Sequence, residues 1–252
     1  MNKEIRVIFL DVGDTLRVIE YDREHILAAK RRVAELVGTD MDPEAFADIV
    51  NKRYDKYRES ALISWIEASE EELWTTWLAP DYPRDRIATA AVELTFQFRQ
   101  FKGRRVLVKN GKEVVTELDR RGYQVGVISN VITSEELPAW AEEDGFTSLF
   151  KTLVQSSVTG IRKPDPRLFR IATKEVGVAP EHCVYVGDHV GKDVVGARSA
   201  GFGMAVLISP RGKALEEFTD ATRPDAIIHE FSDLLKLFPG APNVEIGEFK
   251  PV

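Results

Sequence analysis

Hydrophobic and polar positions along the chain fall into two regimes. At the start, Val7-Ile8-Phe9-Leu10 sets four apolar residues in a row and runs straight into Asp11. From Gly103 onward similar short apolar runs alternate with helix-length amphipathic segments. Apolar runs bounded by turn formers read as strands covered on both faces, and their alternation with helices is the pattern of a parallel sheet with crossover helices. The predicted strands are residues 5–10, 124–129, 149–154, 183–186, 204–208 and 226–228. Helix boundaries are legible too: Asn110 as the cap of a helix ending at Gly122, Thr133 with Glu136 as a capping box, and Asp165-Pro166 as a cap followed by proline at the first helical position.

The second regime lies between Arg17 and Lys102. No alternation of strand type occurs there, and apolar residues recur at helical spacing in the stripes Ile26/Val33/Val37, Phe46/Ile49/Val50/Tyr54/Tyr57, Leu73/Trp74/Trp77 and Ile87/Ala91/Leu94/Phe98. Ser69 with Glu72 offers a capping box before the third. About four helices packed on one another follow from this pattern. Trp65, Trp74 and Trp77 read as core of the small bundle, with a substrate-facing role as the alternative. The expectation is therefore an α/β, Rossmann-like parallel sheet core, formed by residues 1–16 and 103–252, with a helical cap inserted at 17–102.

Composition narrows the function classes. With 252 residues, 41 acidic against 34 basic side chains and a net charge of -7, the chain is long enough for a substantial core. Its charge argues against nucleic acid or an anionic membrane as a partner held by overall attraction. The N-terminal apolar run is far shorter than the roughly 20 residues that span a bilayer. It is not followed by a small-residue cleavage site, so a cytoplasmic protein is expected. The single cysteine, Cys183, rules out an intramolecular disulfide and reads as a small core residue.

Chemistry gathers at the carboxyl ends of the predicted strands, where open α/β sheets bind ligands. The first strand ends in Asp11 and continues Val12-Gly13-Asp14-Thr15. The second ends in Ser129-Asn130. KPDPRLF spans residues 163–169, and VGDHVGKD spans 186–193. Singly, each has an ordinary explanation: Asp188 as a helix cap, Asp193 as a first-turn acid on a helix dipole, Lys163 as a solvated loop charge. In combination and in this order they resemble the four motifs of the haloacid dehalogenase-like hydrolase superfamily, and the helical insertion resembles that family's type 1 cap. The resemblance covers nearly the whole chain.

That resemblance implies a Mg²⁺-dependent phosphohydrolase acting on a small phosphorylated metabolite. Asp11 would be the nucleophile, and Asp11, Asp188 and the backbone carbonyl of Gly13 the metal ligands. Ser129 and Lys163 would hold the phosphate, helped by backbone N–H groups around Gly13, Asp14 and Asn130. Asp193 would position Lys163 or Ser129, and Thr15 would steady the loop behind Asp11.

The first motif departs from the family pattern. The usual form, D-x-D-x-T, has a general acid two residues after the nucleophile, where this chain has Gly13. The carboxylate has moved to Asp14, which on an extended segment would point to the opposite face. General acid–base help contributes about 10²- to 10⁴-fold, so ordinary alkyl phosphates should be poor substrates. Three outcomes stay open: a hydrolase restricted to good leaving groups, a phosphate- and metal-binding module with little turnover, and cleavage of carbon–phosphorus or carbon–halogen bonds. The phosphonate branch of the family needs a cap lysine, for which Lys30, Lys52 and Lys56 are available. The halogen branch is metal-independent and lacks the pair kept here as Gly187-Asp188. Arg17, Tyr21, Arg53, Tyr57 and Trp65 are candidates to reach a substrate, a surface or packing role being the alternative for each.

Overall fold

The computed structural model describes residues 4–212 and 214–241. Six parallel strands, β1 (Val7–Leu10), β4 (Gln124–Ser129), β5 (Phe150–Gln155), β6 (Cys183–Gly187), β7 (Met204–Ile208) and β8 (Ala226–Ile228), form one sheet in the order β5-β4-β1-β6-β7-β8. Alternate residues of β1 serve opposite layers, as the two-residue period of a strand requires. Ile8 and Leu10 pack with Val114, Leu118 and Leu234 on one face, and Val7 and Phe9 with Phe169, Ala172 and Ala197 on the other. The first layer is supplied by α5 (Gly111–Arg120) and α10 (Leu234–Leu237), the second by α8 (Pro166–Val176) and α9 (Val195–Ala200). Each large apolar side chain so enclosed contributes about 1.5–3 kcal/mol. The three-layer α/β architecture agrees with the pattern of the sequence, and every predicted strand falls within two residues of an observed one.

β1 sits between β4 and β6, so the chain winds to one side of it first and the other side later. This strand-order reversal opens a crevice at the carboxyl ends of β1, β4 and β6.

The segment between β1 and β4 holds α1 (Arg23–Val37), α2 (Pro43–Ser64), the short α3 (Glu70–Glu72) continued by a wider π-helical stretch Leu73–Leu78, and α4 (Arg84–Arg99). Asp22 caps α1 by accepting from His25 N at 3.0 Å, Asp42 caps α2, and Ser69 accepts from Glu72 N at 3.1 Å. The four stripes close on a separate core around Phe46, Leu73, Trp74 and Leu94. Two features depart from expectation. A two-stranded antiparallel ribbon, β2 (Arg17–Glu20) with β3 (Arg104–Leu107), flanks the helices where no strand was predicted. Its members are short and largely solvent-facing, so they lack the apolar run that betrays a buried strand. Trp65 is also 41% exposed, because it occupies the left-handed C-cap of α2 (φ 56°), whereas Trp74 is fully buried and Trp77 half-buried.

Two predicted caps fail as well. Asn110 precedes α5 in a left-handed conformation, and its side chain makes no capping bond. α6 (Glu136–Glu143) starts later than the Thr133 box requires, because Glu136 is buried and committed to ion pairs with Arg99 (2.8 Å) and Arg105 (3.6 Å). A short helix α7 (Ser156–Thr159) follows β5 and leads to the Lys163 segment. Asp165 does cap α8, accepting from Arg167 N at 2.9 Å. Cys183 is buried as expected, and burial pushes its thiol up to about 12.

Candidate active site

β1 hands Asp11 to the crevice and the chain turns at once. The Val12 carbonyl accepts N–H bonds from Thr15 (3.3 Å), Leu16 (3.0 Å) and Arg17 (2.8 Å), closing a tight loop. The segment is therefore not extended through Asp14 as expected. Asp14 adopts φ 55°, is solvent-exposed, and does not line the cleft that contains Asp11. Gly13 does line that cleft. Thr15 is fully buried, but its hydroxyl has no hydrogen-bond partner among the described residues, and the Val12 carbonyl is what holds the loop.

Asp11 Oδ1 collects three donors: its neighbour Val12 N at 2.8 Å, Ser129 Oγ at 3.0 Å and Lys163 Nζ at 2.9 Å. Lys163, whose side chain is fully buried, is no solvated loop charge. It also pairs with Asp193 Oδ1 at 2.8 Å and donates to the Tyr185 hydroxyl at 2.5 Å, which donates in turn to Ile128 O at 2.6 Å. The Asn130 side chain fixes the lysine's backbone in both directions, accepting from Lys163 N at 2.8 Å and donating to Lys163 O at 3.1 Å. Asp193 thus reaches Lys163, while no bond joins it to Ser129 among the described residues.

On the other side of Asp11, carboxylate oxygens of Asp11, Asp188 and Asp193 lie within 4.8 Å of one another. Lys192 reaches in among them, with Nζ 3.3 Å from Asp11 Oδ2, 3.2 Å from Asp188 Oδ1 and 3.9 Å from Asp193 Oδ2. His189, not Asp188, caps the following helical turn, accepting from Gly191 N at 3.1 Å. A side chain at Gly187 would overlap the Asp193 carboxylate, so glycine is what lets that carboxylate pack against the end of β6.

Burial opposes ionisation of Asp11, but the ammonium groups of Lys163 and Lys192 outweigh it and hold the carboxyl well below the usual carboxylate range. Asp193 shifts upward, because burial and the nearby Asp11 charge oppose the help of its lysine neighbours. The Tyr185 hydroxyl is likewise pushed up by burial and by the three aspartates, which keeps it a neutral donor. For Lys192 the carboxylates outweigh burial and raise its affinity for the proton, so it stays charged.

The cleft above Asp11 is walled by Val131, Leu137 and Trp140, and Arg99 at the end of α4 also lines it. The other insertion candidates are occupied elsewhere. Arg17 pairs with Asp144 and stacks 4.5 Å over Trp140, and Arg53 donates to Leu78 O at 2.9 Å. Tyr57 donates to the buried Glu67, and Tyr21 is exposed. Lys30 pairs with Glu44 at 3.8 Å, while Lys52 and Lys56 are exposed, and none of the three lines the cleft. Sequence reasoning missed Lys192, Tyr185 and Arg99. Lys192 stands four residues after Asp188, one helical turn on and hence on the same face, which was a legible signal. Arg99 and Tyr185 gave none, lying within a helical stripe and an apolar strand.

Comparison with known proteins agrees with this geometry. A family model described as haloacid dehalogenase-like hydrolase matches residues 5–201. A phosphoserine phosphatase of Thermus thermophilus is 30% identical over 222 residues, covering 78% of this chain and 86% of that protein. A glyceraldehyde 3-phosphate phosphatase of Pyrococcus furiosus is 25% identical over 245 residues, 93% of each. The crystal structure of a 2-haloacid dehalogenase from Pseudomonas syringae superposes with a TM-score of 0.65 at 25% identity, covering 92% of this chain and 97% of that one.

Proposed function

The chain belongs to the haloacid dehalogenase-like hydrolase family and is a phosphatase-like hydrolase; from that premise we propose that it is a Mg²⁺-dependent phosphohydrolase that passes the phosphoryl group of a small metabolite through Asp11. The observation that carries this is the division of labour on one carboxylate. The groups suited to a phosphate, Ser129 Oγ and Lys163 Nζ, both address Oδ1, while the carboxylate-rich side with its cationic occupant addresses Oδ2. Phosphate then belongs on the Oδ1 side and a cation on the Oδ2 side.

The donor set fits a divalent cation. Asp11 and Asp188 offer hard oxygen ligands, Asp193 lies beside them, and the cluster already attracts the ammonium of Lys192. Asp11, Asp188 and the carbonyl of Gly13 would hold Mg²⁺, which when bound neutralises charge between the carboxylate and the phosphoryl oxygens.

In the first step Asp11 Oδ1 attacks phosphorus, a P–O bond to Asp11 forms, and the P–O bond to the leaving group breaks. Ser129, Lys163 and backbone N–H groups around Gly13, Asp14 and Asn130 bind the phosphoryl oxygens. Asp193 and Asn130 keep Lys163 aimed, while Thr15 fills the space behind the loop. Water then attacks the same phosphorus, releasing inorganic phosphate and restoring the carboxylate, with the proton passing to solvent or product. Since no acid stands at position 13, the leaving group must depart unaided, which favours acyl and aryl phosphates over alkyl phosphates. Residues 17–102 act as a cap over the cleft, and the one buried cysteine suits a reducing cytoplasm.

The test is hydrolysis of acetyl phosphate and p-nitrophenyl phosphate with Mg²⁺ against an Asp11→Asn control, together with trapping of a phosphoryl analogue such as beryllofluoride on Asp11. Turnover and trapping that both vanish in Asp11→Asn are expected. Neither appearing in folded wild-type protein would leave the binding-module alternative, which the glycine at position 13 favours.

A further inference from the structure

We infer that Arg99 is a substrate-recognition residue for a second anionic group, so that the preferred substrates are phosphorylated metabolites bearing a carboxylate or a second phosphate. This rests on the phosphatase reading and narrows it to a substrate class.

Arg99 closes α4, at the end of the helical insertion, and lines the same cleft as Asp11 and Ser129. Its guanidinium is held at one edge only: Nε donates to Glu136 Oε2 at 2.8 Å, while the two terminal nitrogens have no hydrogen-bond partner among the described residues. Glu136 is itself completely buried, so the anchor is rigid. It is shared with Arg105, which lies 3.6 Å from Oε1 and also donates to the Arg99 carbonyl. Two arginines on one glutamate leave this corner with one uncompensated positive charge.

The rest of the cleft does not supply the missing anion. Apart from Asp11, no carboxylate lines it among the described residues, and Lys192 adds another cation. A half-exposed guanidinium with its pair of terminal N–H donors open presents the forked geometry that carboxylate and phosphate oxygens match. Arg99 is also placed differently from the phosphoryl-binding groups, for Ser129 and Lys163 come from the core whereas Arg99 comes from the insertion. One substrate can engage both sets only if it carries an anionic group at each end.

Binding to the Asp11→Asn protein in Mg²⁺, measured by calorimetry, tests this with matched pairs. O-phosphoserine is compared with O-phosphoethanolamine for the carboxylate, and 1,3-propanediol bisphosphate with propyl phosphate for the second phosphate. At least one doubly anionic ligand is expected to bind roughly tenfold or more tightly than its partner, the usual worth of a charge-assisted hydrogen bond. That ratio should fall to about one in Arg99→Met. Because Arg99→Met leaves Glu136 with a single partner, the pair Arg99→Met with Glu136→Gln is measured alongside. The wild-type Arg99 comparison needs neither variant to fold. Monoesters that bind with no preference in either pair, or a preference that survives loss of Arg99, overturn the inference and leave the phosphatase reading standing. If no phosphate ester binds and phenyl phosphate is not hydrolysed by the wild-type enzyme, the phosphatase reading fails and this inference with it.

Discussion

Lys192 Nζ lies 3.2 Å from Asp188 Oδ1, placing a fixed positive charge among the carboxylates that would hold a cation. The same ammonium approaches Asp11 Oδ2, so a lysine and a divalent ion compete for one position. Replacing Lys192 by methionine should tighten Mg²⁺ binding by about tenfold, since a competing charge near a protein surface is worth a few kcal/mol at most. Without metal the same variant should melt at a lower temperature, because three neighbouring carboxylates lose a counter-charge. Calorimetric titration with Mg²⁺ and thermal unfolding with and without the ion check both halves.

Gly13 has open space where a side chain would begin, with no atom within 4 Å of an added Cβ, and its backbone lies outside the left-handed region. Gly13→Asp is therefore expected to fold and to raise hydrolysis of alkyl phosphates such as glycerol phosphate by roughly 10²-fold, the lower end of what general acid help supplies. Phosphate release measured with wild-type and variant protein decides it. A folded variant with no gain would show that the missing acid is not what limits the site.

Glu67 joins the insertion to the core: it accepts from Tyr57, Ser156 and Arg162, while Glu67 N donates to Gly160 O at 2.9 Å and Arg162 N to Trp65 O at 2.9 Å. Arg162 directly precedes Lys163. Glu67→Gln should cost about 3 kcal/mol in denaturant unfolding, because it strands a buried guanidinium. The wild-type chain unfolding at the same midpoint as the variant would contradict this.

Gly187→Ala should impair activity through Asp193. The added methyl group overlaps the Asp193 carboxylate, which would have to leave Lys163. The expected result is a lower kcat with p-nitrophenyl phosphate, accompanied by reduced thermal stability.

Acid should weaken one specific tie. Hydrogen bonds from Arg120 and Arg121 hold the half-buried Glu117 carboxyl down to about 2, below its ordinary 4.5. A depressed folded-state value contributes stability above about 4.5, and that contribution disappears as the pH falls toward 2. Arg121 also donates to Leu235 O and Phe238 O, so the tie holds the α10 region. Thermal midpoints of wild type and Glu117→Gln should differ at pH 7 and converge as the solution approaches pH 2.5.

The sequence by itself determined the layers, the positions of the six parallel strands, the placing of Asp11, Ser129 and Asp188 at strand ends, and that of Lys163 in the segment between the third and fourth predicted strands. Apolar periodicity and turn residues act locally, so VIFL followed by Asp11 reads correctly without knowledge of anything distant. Tertiary structure decided what local signals do not encode. Whether Lys163 is a solvated loop charge or a buried partner of Asp11 depends on Asp193 and Tyr185 arriving from β6 and the turn after it. Glu136 looked like half of a capping box, yet long-range pairing with Arg99 and Arg105 outweighed the local bond. Asp14 was expected to face away from Asp11 on an extended segment; three N–H groups converging on Val12 O turn the chain instead, and Asp14 still stays outside the cleft that holds Asp11. Charges separated by tens of residues interact only once the sheet has brought them together, and that is why Asp11 at the end of its strand was legible in the sequence while its electrostatic surroundings were not.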